Sequence, residues 1–431
     1  MQIRTLQDAE RYLDGFINRE RVESFDYEKL GLARIRGLLQ AIGRPQAGLP
    51  CIHVTGSKGK GSVSLAAEAL LRAAGRRVGT YTSPHLESWR ERFRIDGRVV
   101  AVEDMLRALR RIQPEVDRVS ADPETRPSFF DVTTALAFEI FRDASVDAGV
   151  IEVGLGGRLD STNVVDSSVC VLTAVQLEHT DKLGETLEEI ALEKAGIFRK
   201  EVPVVHGPLP PEAYGALFAR SVAEDAPLEE VEARDVRPTP EGQRFGLPDG
   251  RVVETCVIGT HQATNLAIAV RSCEHFLGRA LSPAEIGALR SLALPARLER
   301  IGPLVLDSAH TPDSARALRE TVCARWPGRR WVLGLSISRD KDARGILREL
   351  AGEARLCILT RAEPTRSIDT GELEALARAC GVARVEVCED PLEAAERVRS
   401  ECAPDEIGVL TGSIYFAGAV RGRLLEPARS R

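Results

Sequence analysis

Residues His53-Val54-Thr55-Gly56-Ser57-Lys58-Gly59-Lys60-Gly61-Ser62 form a glycine-rich loop between an apolar strand, Cys51–Val54, and a helix. The helix is legible from Val63, Leu65, Ala66, Ala69, Leu70 and Ala73, which recur three and four residues apart. Few sequences satisfy that junction. Glycines let backbone N–H groups turn inward toward a polyphosphate, the helix start adds partial positive charge, and Lys60 can reach the outer phosphates. The spacing departs from the common G-x-x-x-x-G-K-[ST], because Gly61 intervenes before the hydroxyl of Ser62. The pattern points to ATP.

Around this loop, strand-like runs at 51–54, 77–81, 148–153, 169–175 and 202–205 alternate with helical patterns at 62–74, 131–142 and 186–198. That alternation predicts an α/β fold with a parallel sheet covered by helices. Residues 221–256 are polar and broken by Pro and Gly, and read as short antiparallel strands at a sheet edge. A helix follows from Gln262 to Phe276, with Thr260 and Thr264 as candidate caps. After Leu294-Pro295 a second alternation begins, with strands at 303–307, 330–335, 355–360, 383–388 and 407–411. Its helices fall at 312–325, 341–351, 370–380 and 391–401. Two domains are expected, residues 1–294 and 295–431.

Composition narrows the function. The 431 residues carry a net charge of −6, which argues against a general nucleic-acid surface. Nine scattered cysteines show no C-x-x-C pair and no zinc spacing, and read as small buried residues of a reducing compartment. The N-terminus lacks a signal-peptide core, and no run reaches the roughly 20 apolar residues that span a bilayer. A cytoplasmic monomer with no nucleic-acid or membrane partner is expected.

Several side chains join the loop. Glu152 ends the strand Ala148–Ile151 ahead of Val153-Gly154-Leu155-Gly156-Gly157, where open α/β sheets bind ligands. Beside a phosphate tail it suits Mg²⁺; alone it is a solvated strand-end carboxylate. His179 follows the next strand and is either structural or a ligand. Thr186 with Glu189 makes a capping box, so the helix starts near Leu187 and places Lys194 on the face of Leu187, Ile190, Ala191 and Ile197. An amine there loses hydration and its pKa falls. It either snorkels to water or captures carbon dioxide as a carbamate able to ligate a metal. Ser83 would offer a hydroxyl near the phosphates. Gln262 and Asn265 share a helix face suited to a base, and Arg297 sits at the domain junction within reach of phosphate.

Taken together, these segments resemble the bacterial dihydrofolate synthase/folylpolyglutamate synthase family of the Mur ligase superfamily. The likeness runs along essentially the whole chain. It rests on Phe25 with Leu30-Gly31-Leu32-Ala33-Arg34, HVTGSKGKGS at 53–62, YTSPHLESWRERFRIDG at 81–97 and SFFDVTTALAFEIF at 128–141. It continues through IEVGLGGRLDSTN at 151–163, LEHTDKLGETLEEIALEKAGIFR at 177–199, HQATNLAIA at 261–269 and PARLE at 295–299. LDSAHTP at 306–312, DKD at 340–342 and TGSIYFAG at 411–418 complete it.

The resemblance implies an N-terminal P-loop ATPase-like parallel sheet domain and a smaller C-terminal Rossmann-like α/β domain. It implies that Ser57, Lys58, Gly59, Lys60, Gly61 and Ser62 hold the ATP phosphates, with Asn265, Arg297 and Asp307 also on the nucleotide. Two Mg²⁺ sites are implied, one on Ser83 and Glu152, the other on His179 and a carbamylated Lys194. Leu30, Gly31, Leu32, Ser128, Phe129, Phe130, Asp131, Leu159, Asp160 and Ser161 would line the pterin or folate site, and His310 would meet the incoming L-glutamate. The implied catalytic set is Lys60, Lys194, His179, Arg297 and His310. Substrates would be ATP, L-glutamate and dihydropteroate or tetrahydrofolate, joined through an acyl phosphate. Lys58 stands where many members have Asn, Glu178 replaces the usual Asp, Asp131 a common Glu and Thr311 a common Asn. The last three touch substrate recognition. A related ligase on another acid and amino acid, or an ATP-hydrolysing switch, stays open at this level; ADP release dependent on both an acid and an amino acid separates ligase from switch.

Lys60→Ala is expected to abolish ATP-dependent turnover in a chain that remains folded, because its charge matters most as negative charge shifts on the γ-phosphate. Turnover assays paired with circular dichroism check this.

Overall fold

A computed structural model of the chain describes residues 2–18, 27 and 31–426. Eight strands form the main sheet: β1 (Cys51–Thr55), β2 (Val78–Tyr81), β3 (Phe93–Ile95), β4 (Arg98–Val99), β5 (Ala148–Glu152), β6 (Ser167–Leu172), β7 (Val204–His206) and β8 (Leu228–Glu230). Their spatial order is β4-β3-β2-β5-β1-β6-β7-β8. The run β2-β5-β1-β6-β7-β8 is parallel, while β3 and β4 add an antiparallel edge. The expected parallel sheet thus forms, with an edge hairpin that the Trp89–Gly97 stretch did not announce.

Burial explains why β1 and β5 read as short continuous apolar runs. Every residue of both is buried, as in parallel strands covered on two faces. Ile52, Val54, Val150 and Val171 pack against the helices Lys60–Ala73 and Thr260–Leu277. Cys51, Tyr81 and Ile151 face the helix Phe129–Asp143. The phosphate loop leaves β1 between β5 and β6, where successive connections diverge to opposite sides, and this is where open α/β sheets form their ligand crevice.

Residues 221–256 differ from expectation. Strand β8 joins the main sheet in parallel, and the antiparallel strands β9 (Arg234–Pro238), β10 (Gln243–Gly246) and β11 (Val252–Thr255) form a separate three-stranded sheet. The helix after them begins at Thr260 with Gly259 as its cap, so neither Thr260 nor Thr264 caps it. Thr264 instead accepts from the Ala233 N–H at 3.4 Å, tying the helix to the chain entering β9.

The final sheet contains β12 (Glu299–Ile301), β13 (Leu304–Leu306), β14 (Trp331–Leu335), β15 (Ala354–Leu359), β16 (Val385–Val387) and β17 (Ile407–Thr411), ordered β12-β13-β17-β14-β15-β16. All neighbours are parallel except β12 with β13. The helices Pro312–Arg325 and Pro391–Glu401 have the bounds read from sequence. No helix among the described residues is long and apolar enough to cross a membrane, and all nine cysteines are free.

The two α/β units touch through the last helix, Ile414–Leu425. Arg421 forms a two-pronged bond to Glu299 at 2.8 and 2.9 Å and reaches Glu87 at 2.8 Å. One turn earlier, a Cβ on Gly418 would lie 2.0 Å from the Leu86 carbonyl oxygen, a backbone atom that cannot swing away. Gly418→Ala is therefore expected to destabilise the protein by roughly 1–3 kcal/mol, the usual penalty for overpacking. The shift in urea midpoint measures it.

Candidate nucleotide and ligation site

The phosphate loop owes its path to two glycines. Gly56 has φ 142 and Gly59 φ 90, in the region that side chains rarely adopt. A Cβ at Gly56 would fall 1.9 Å from Thr173 Oγ1, and one at Gly59 would fall 2.4 Å from Asn265 Oδ1. Thr173 donates to the Lys58 carbonyl at 2.5 Å, and the Ser57 N–H donates to the Ala174 carbonyl at 2.8 Å. Ser57 Oγ accepts from the Gln176 N–H at 3.0 Å. The loop is thus sewn to the segment leaving β6.

The helix that follows starts at Lys60 with Gly59 at its cap and no side-chain bond to its first N–H groups. Uncapped first-turn donors form a ready anion site. Lys60 Nζ bonds the Gly56 carbonyl at 2.8 Å, which folds the amine back over the loop. Ser62 Oγ is buried and has no hydrogen-bond partner. Glu152 is 4% exposed and sits beside Gly61, whose Cβ would lie 3.7 Å from Glu152 Oε2. Burial pushes the Glu152 carboxyl up to about 7 against the pull of Lys60. Its Oε2 accepts from the Ser83 N–H at 3.2 Å. An orphaned hydroxyl and a desolvated carboxylate facing an uncapped helix start suit a divalent cation with a phosphate chain.

A second charged group lies under the loop. The capping box of Thr186 and Glu189 forms, and the helix runs from Leu187 to Ala195. Lys194 is 1% exposed, with Nζ 3.1 Å from Glu178 Oε1. Burial pushes the Lys194 amine down to about 8, opposed by Glu178. Glu178 Oε2 also lies 3.8 Å from Lys58 Nζ. Burial raises the Glu178 carboxyl, but the charges of Lys194, Lys60 and Lys58 overcome it and hold the group at about 2. His179 adopts φ 48 and is kept neutral by desolvation, down to about 4. No cluster of three or more His, Cys, Asp or Glu placed to hold a metal occurs among the described residues.

Residues from the final sheet reach the same loop. His310 Nδ1 lies 2.9 Å from the Ser308 carbonyl, which only accepts, so Nδ1 carries the proton. His310 Nε2 then accepts from the Lys58 ammonium at 3.1 Å. Arg297 bonds the Ser308 hydroxyl, and its charge acts on Glu152, Lys58 and His310. It stands between two non-glycine residues with left-handed backbone, Ala296 at φ 51 and Leu298 at φ 52. Such conformations cost roughly 1–3 kcal/mol each and persist only where the surroundings enforce them. Asp307 does so by accepting from the Leu298 N–H at 2.8 Å and the Ala309 N–H at 2.7 Å.

Gln262 and Asn265 bond each other at 3.2 Å, and Asn265 lies against Gly59 rather than open to a base. On the pterin side, Ser128 and Asp131 form a capping box for the helix beginning at Phe129. Ser161 donates to Asp131 at 2.6 Å, so those three converge. Asp160 accepts from the N–H groups of Gly154 and Leu155, each at 3.0 Å, and from Thr162, which orders the glycine-rich segment after β5. Phe130 packs on Gly154, where a Cβ would come within 2.7 Å of the ring, Phe129 lies under the Arg92 guanidinium, and Leu159 packs beside Val153 and Tyr27. Gly31 caps the helix that starts at Leu32; Phe25 and Leu30 lie outside the described residues.

Sequence reasoning missed Thr173, the counter-ion role of Glu178, and Lys341, whose charge reaches Lys58, His179 and His310. Thr173 carries no local signal because its partner is 115 residues away. Lys341 stands in the DKD stretch already noted, so a signal existed without a role attached.

Comparison with known proteins defines the class first. Residues 54–273 match the Mur ligase middle domain, and residues 296–414 the Mur ligase, glutamate ligase domain. A Bacillus subtilis dihydrofolate synthase/folylpolyglutamate synthase is 31% identical over 92% of this chain and 95% of its own length. The protein of that name from Mycobacterium tuberculosis is 34% identical over 97% and 94%. The M. tuberculosis folylpolyglutamate synthase structure complexed with ADP and AMPPCP superimposes with a TM-score of 0.89 at 33% identity, covering 98% of this chain and 99% of that one. E. coli FolC in complex with DHPP and ADP gives 0.83 at 26% identity, covering 98% of each chain. This chain belongs to the dihydrofolate synthase/folylpolyglutamate synthase family of Mur ligases.

Gly59→Ala is expected to weaken ADP binding at least tenfold while leaving the protein folded, because its Cβ would enter Asn265 and its φ disfavours any side chain. Calorimetric titration with ADP measures it.

Proposed function

We propose that this protein is an ATP-dependent ligase that adds L-glutamate to dihydropteroate, to folates, or to both. The observation that carries the reading is the convergence of His310 and Arg297, from segments flanking the first two strands of the final sheet, on Lys58 of the phosphate loop. A nucleotide switch has no need of that meeting. An amide-forming enzyme does, because it must bring an activated acid and an amine together and keep water out. In this reading residues 1–294 and 295–431 act as two working units joined at Leu294-Pro295.

A carboxylate is a poor electrophile at neutral pH. Its oxygen attacks the γ-phosphorus of ATP, ADP departs, and the acyl phosphate that results is attacked by the amine of glutamate with loss of phosphate. Lys60 and the first-turn N–H groups hold the phosphates as charge shifts between them. Lys58 fixes His310 in one tautomer and so sets what the imidazole presents to the amino acid. Asp307 holds the strained turn that aims Arg297.

Mg²⁺ would be held by Glu152 with the Ser83 and Ser62 hydroxyls, and supplies charge neutralisation for phosphoryl transfer. A second cation would rest on His179 and Lys194. There Lys194 must first become an anion, by adding carbon dioxide to its amine with loss of a proton, and burial favours the neutral amine that this addition needs. Ser128, Asp131, Ser161, Phe130 and Leu159 would line the pterin pocket, with Phe129 and Asp160 behind them and Gly31 and Leu32 at its entrance.

The direct test incubates purified protein with ATP, Mg²⁺ and L-glutamate, separately with dihydropteroate and with tetrahydrofolate, and reads products by mass. Gain of one glutamyl residue on at least one acid is expected; ADP release independent of both acid and glutamate overturns the ligase reading. Arg297→Ala is expected to lower kcat by about 10²–10³, the range for loss of one transition-state donor, with little change in KM for the acid. Arg297→Lys should rescue only part, since an ammonium cannot form a two-pronged bond. Steady-state kinetics with each substrate varied decides it.

A further inference from the structure

At the opposite end of the main sheet from the phosphate loop lies a cavity of about 440 Å³, within the span of roughly 300–1,000 Å³ usual for small-molecule sites. The lining segment Asn163–Asp166 leads into the start of β6, whereas the phosphate loop is sewn to the chain leaving its end. Six residues of strand place the two roughly 20 Å apart. The cavity therefore lies apart from the nucleotide site, and its walls are the later part of the helix that begins at Leu32 and the chain just after Ser161.

Its lining is cationic. Arg36, Arg44 and Arg199 face it together with Gln46, Asn163 and Asp166. Arg199 is fixed by neutral acceptors, with Nη1 on the carbonyls of Ile197 and Phe198 at 3.1 and 3.2 Å and Nη2 on Asn163 Oδ1 at 2.5 Å. Those bonds orient the guanidinium without cancelling its charge. Among the described residues the side chains of Arg36 and Arg44 make no hydrogen bond or ion pair, and Asp166, the one acid of the lining, pairs with none of the three guanidinium groups. Arg44 is held in the left-handed region at φ 52, with its N–H on the Leu39 carbonyl at 2.7 Å and its carbonyl accepting from the Ala47 N–H at 3.0 Å. The backbone of Arg44 is thus anchored on both sides while its guanidinium pairs with no described residue. Gln46 Oε1 is buried and lacks a donor.

Among the described residues, three guanidinium groups against one carboxylate leave a positive excess in a cavity that opens to solvent. Planar forks of N–H donors match the paired oxygens of phosphate or carboxylate. The orphaned Gln46 oxygen asks for an N–H or O–H on the same ligand, since a buried acceptor left unpaired is costly. No aromatic ring lines the cavity among the described residues, which disfavours a nucleobase or pterin. We propose that this cavity binds a small polyanion that also carries a hydrogen-bond donor, an oligophosphate or an oligocarboxylate peptide. This inference does not depend on which acid the enzyme extends.

The test uses the full-length protein saturated with ADP, so that the phosphate loop is filled. It is titrated calorimetrically with sodium pyrophosphate and, separately, with γ-linked triglutamate. One-to-one binding of at least one probe is expected, weakened at least tenfold in the double variant Arg36→Ala/Arg44→Asn. ADP affinity and basal turnover should not change, because neither arginine belongs to the ligation site. Both side chains are exposed, and Asn tolerates the left-handed backbone at position 44, so folding should survive. Gln46→Leu provides a second arm and should weaken the same probe. Pyrophosphate binding alone identifies the ligand as phosphate-based, and triglutamate binding alone as carboxylate-based. Failure of both probes to bind, or a loss below tenfold in the double variant, overturns the proposal.

Discussion

The contact on which this molecule depends is the close approach of the phosphate loop to the chain leaving β6. Gly56 passes so near Thr173 that no side chain fits between them, and Thr173 returns the bond to the Lys58 carbonyl. Because β1 and β6 are hydrogen-bonded neighbours, that approach fixes the loop relative to the whole sheet. The helix at Lys60 then begins with its donors uncommitted, and Glu152 on the other neighbouring strand closes the opposite side. Anion affinity here arises from backbone geometry, with charged side chains added to it.

Charge around the loop is balanced over distance. Glu178 is the counter-ion for two lysines, one from the loop and one from a buried helix face. Taking an ammonium fully out of water is expensive, and a single partner offsets that only when geometry is close. The lowered Lys194 amine reflects an incomplete offset, and the same imbalance makes the nitrogen chemically available. His310 adds a neutral acceptor to Lys58, so the loop lysine is held by both α/β units at once.

The meeting of those units combines strained backbone beside the site with partly hydrated ion pairs farther out. Ala296 and Leu298 hold strained backbone on either side of Arg297, secured by Asp307. Farther out, Arg421 links the final helix to Glu87 and Glu299 through groups that remain partly in water. Salt weakens such bridges, whereas the part-buried Asp307 bonds to backbone N–H groups are screened less.

Sequence alone determined the local decisions. Hydrophobic period and glycine placement set β1, the loop and its helix; Thr186 with Glu189 set the start of the Lys194 helix; apolar runs bounded by turns marked five of the six strands of the final sheet, leaving out the antiparallel β12, with β17 and two helices correct to the residue. These choices are made by interactions within a few residues, so the signal is in the string. Tertiary structure decided the rest. Residues 234–255 became a separate sheet because pairing partners are set by packing and not by propensity. Gly259 took the cap from Thr260 because the chain enters that helix at φ 107, a turn no threonine adopts readily. The pairing of Lys58 with His310, 252 residues away, and the pairing of Lys194 with Glu178 exist only once the sheets are stacked. Electrostatic partners act through a few ångströms of space, and a sequence records order along the chain.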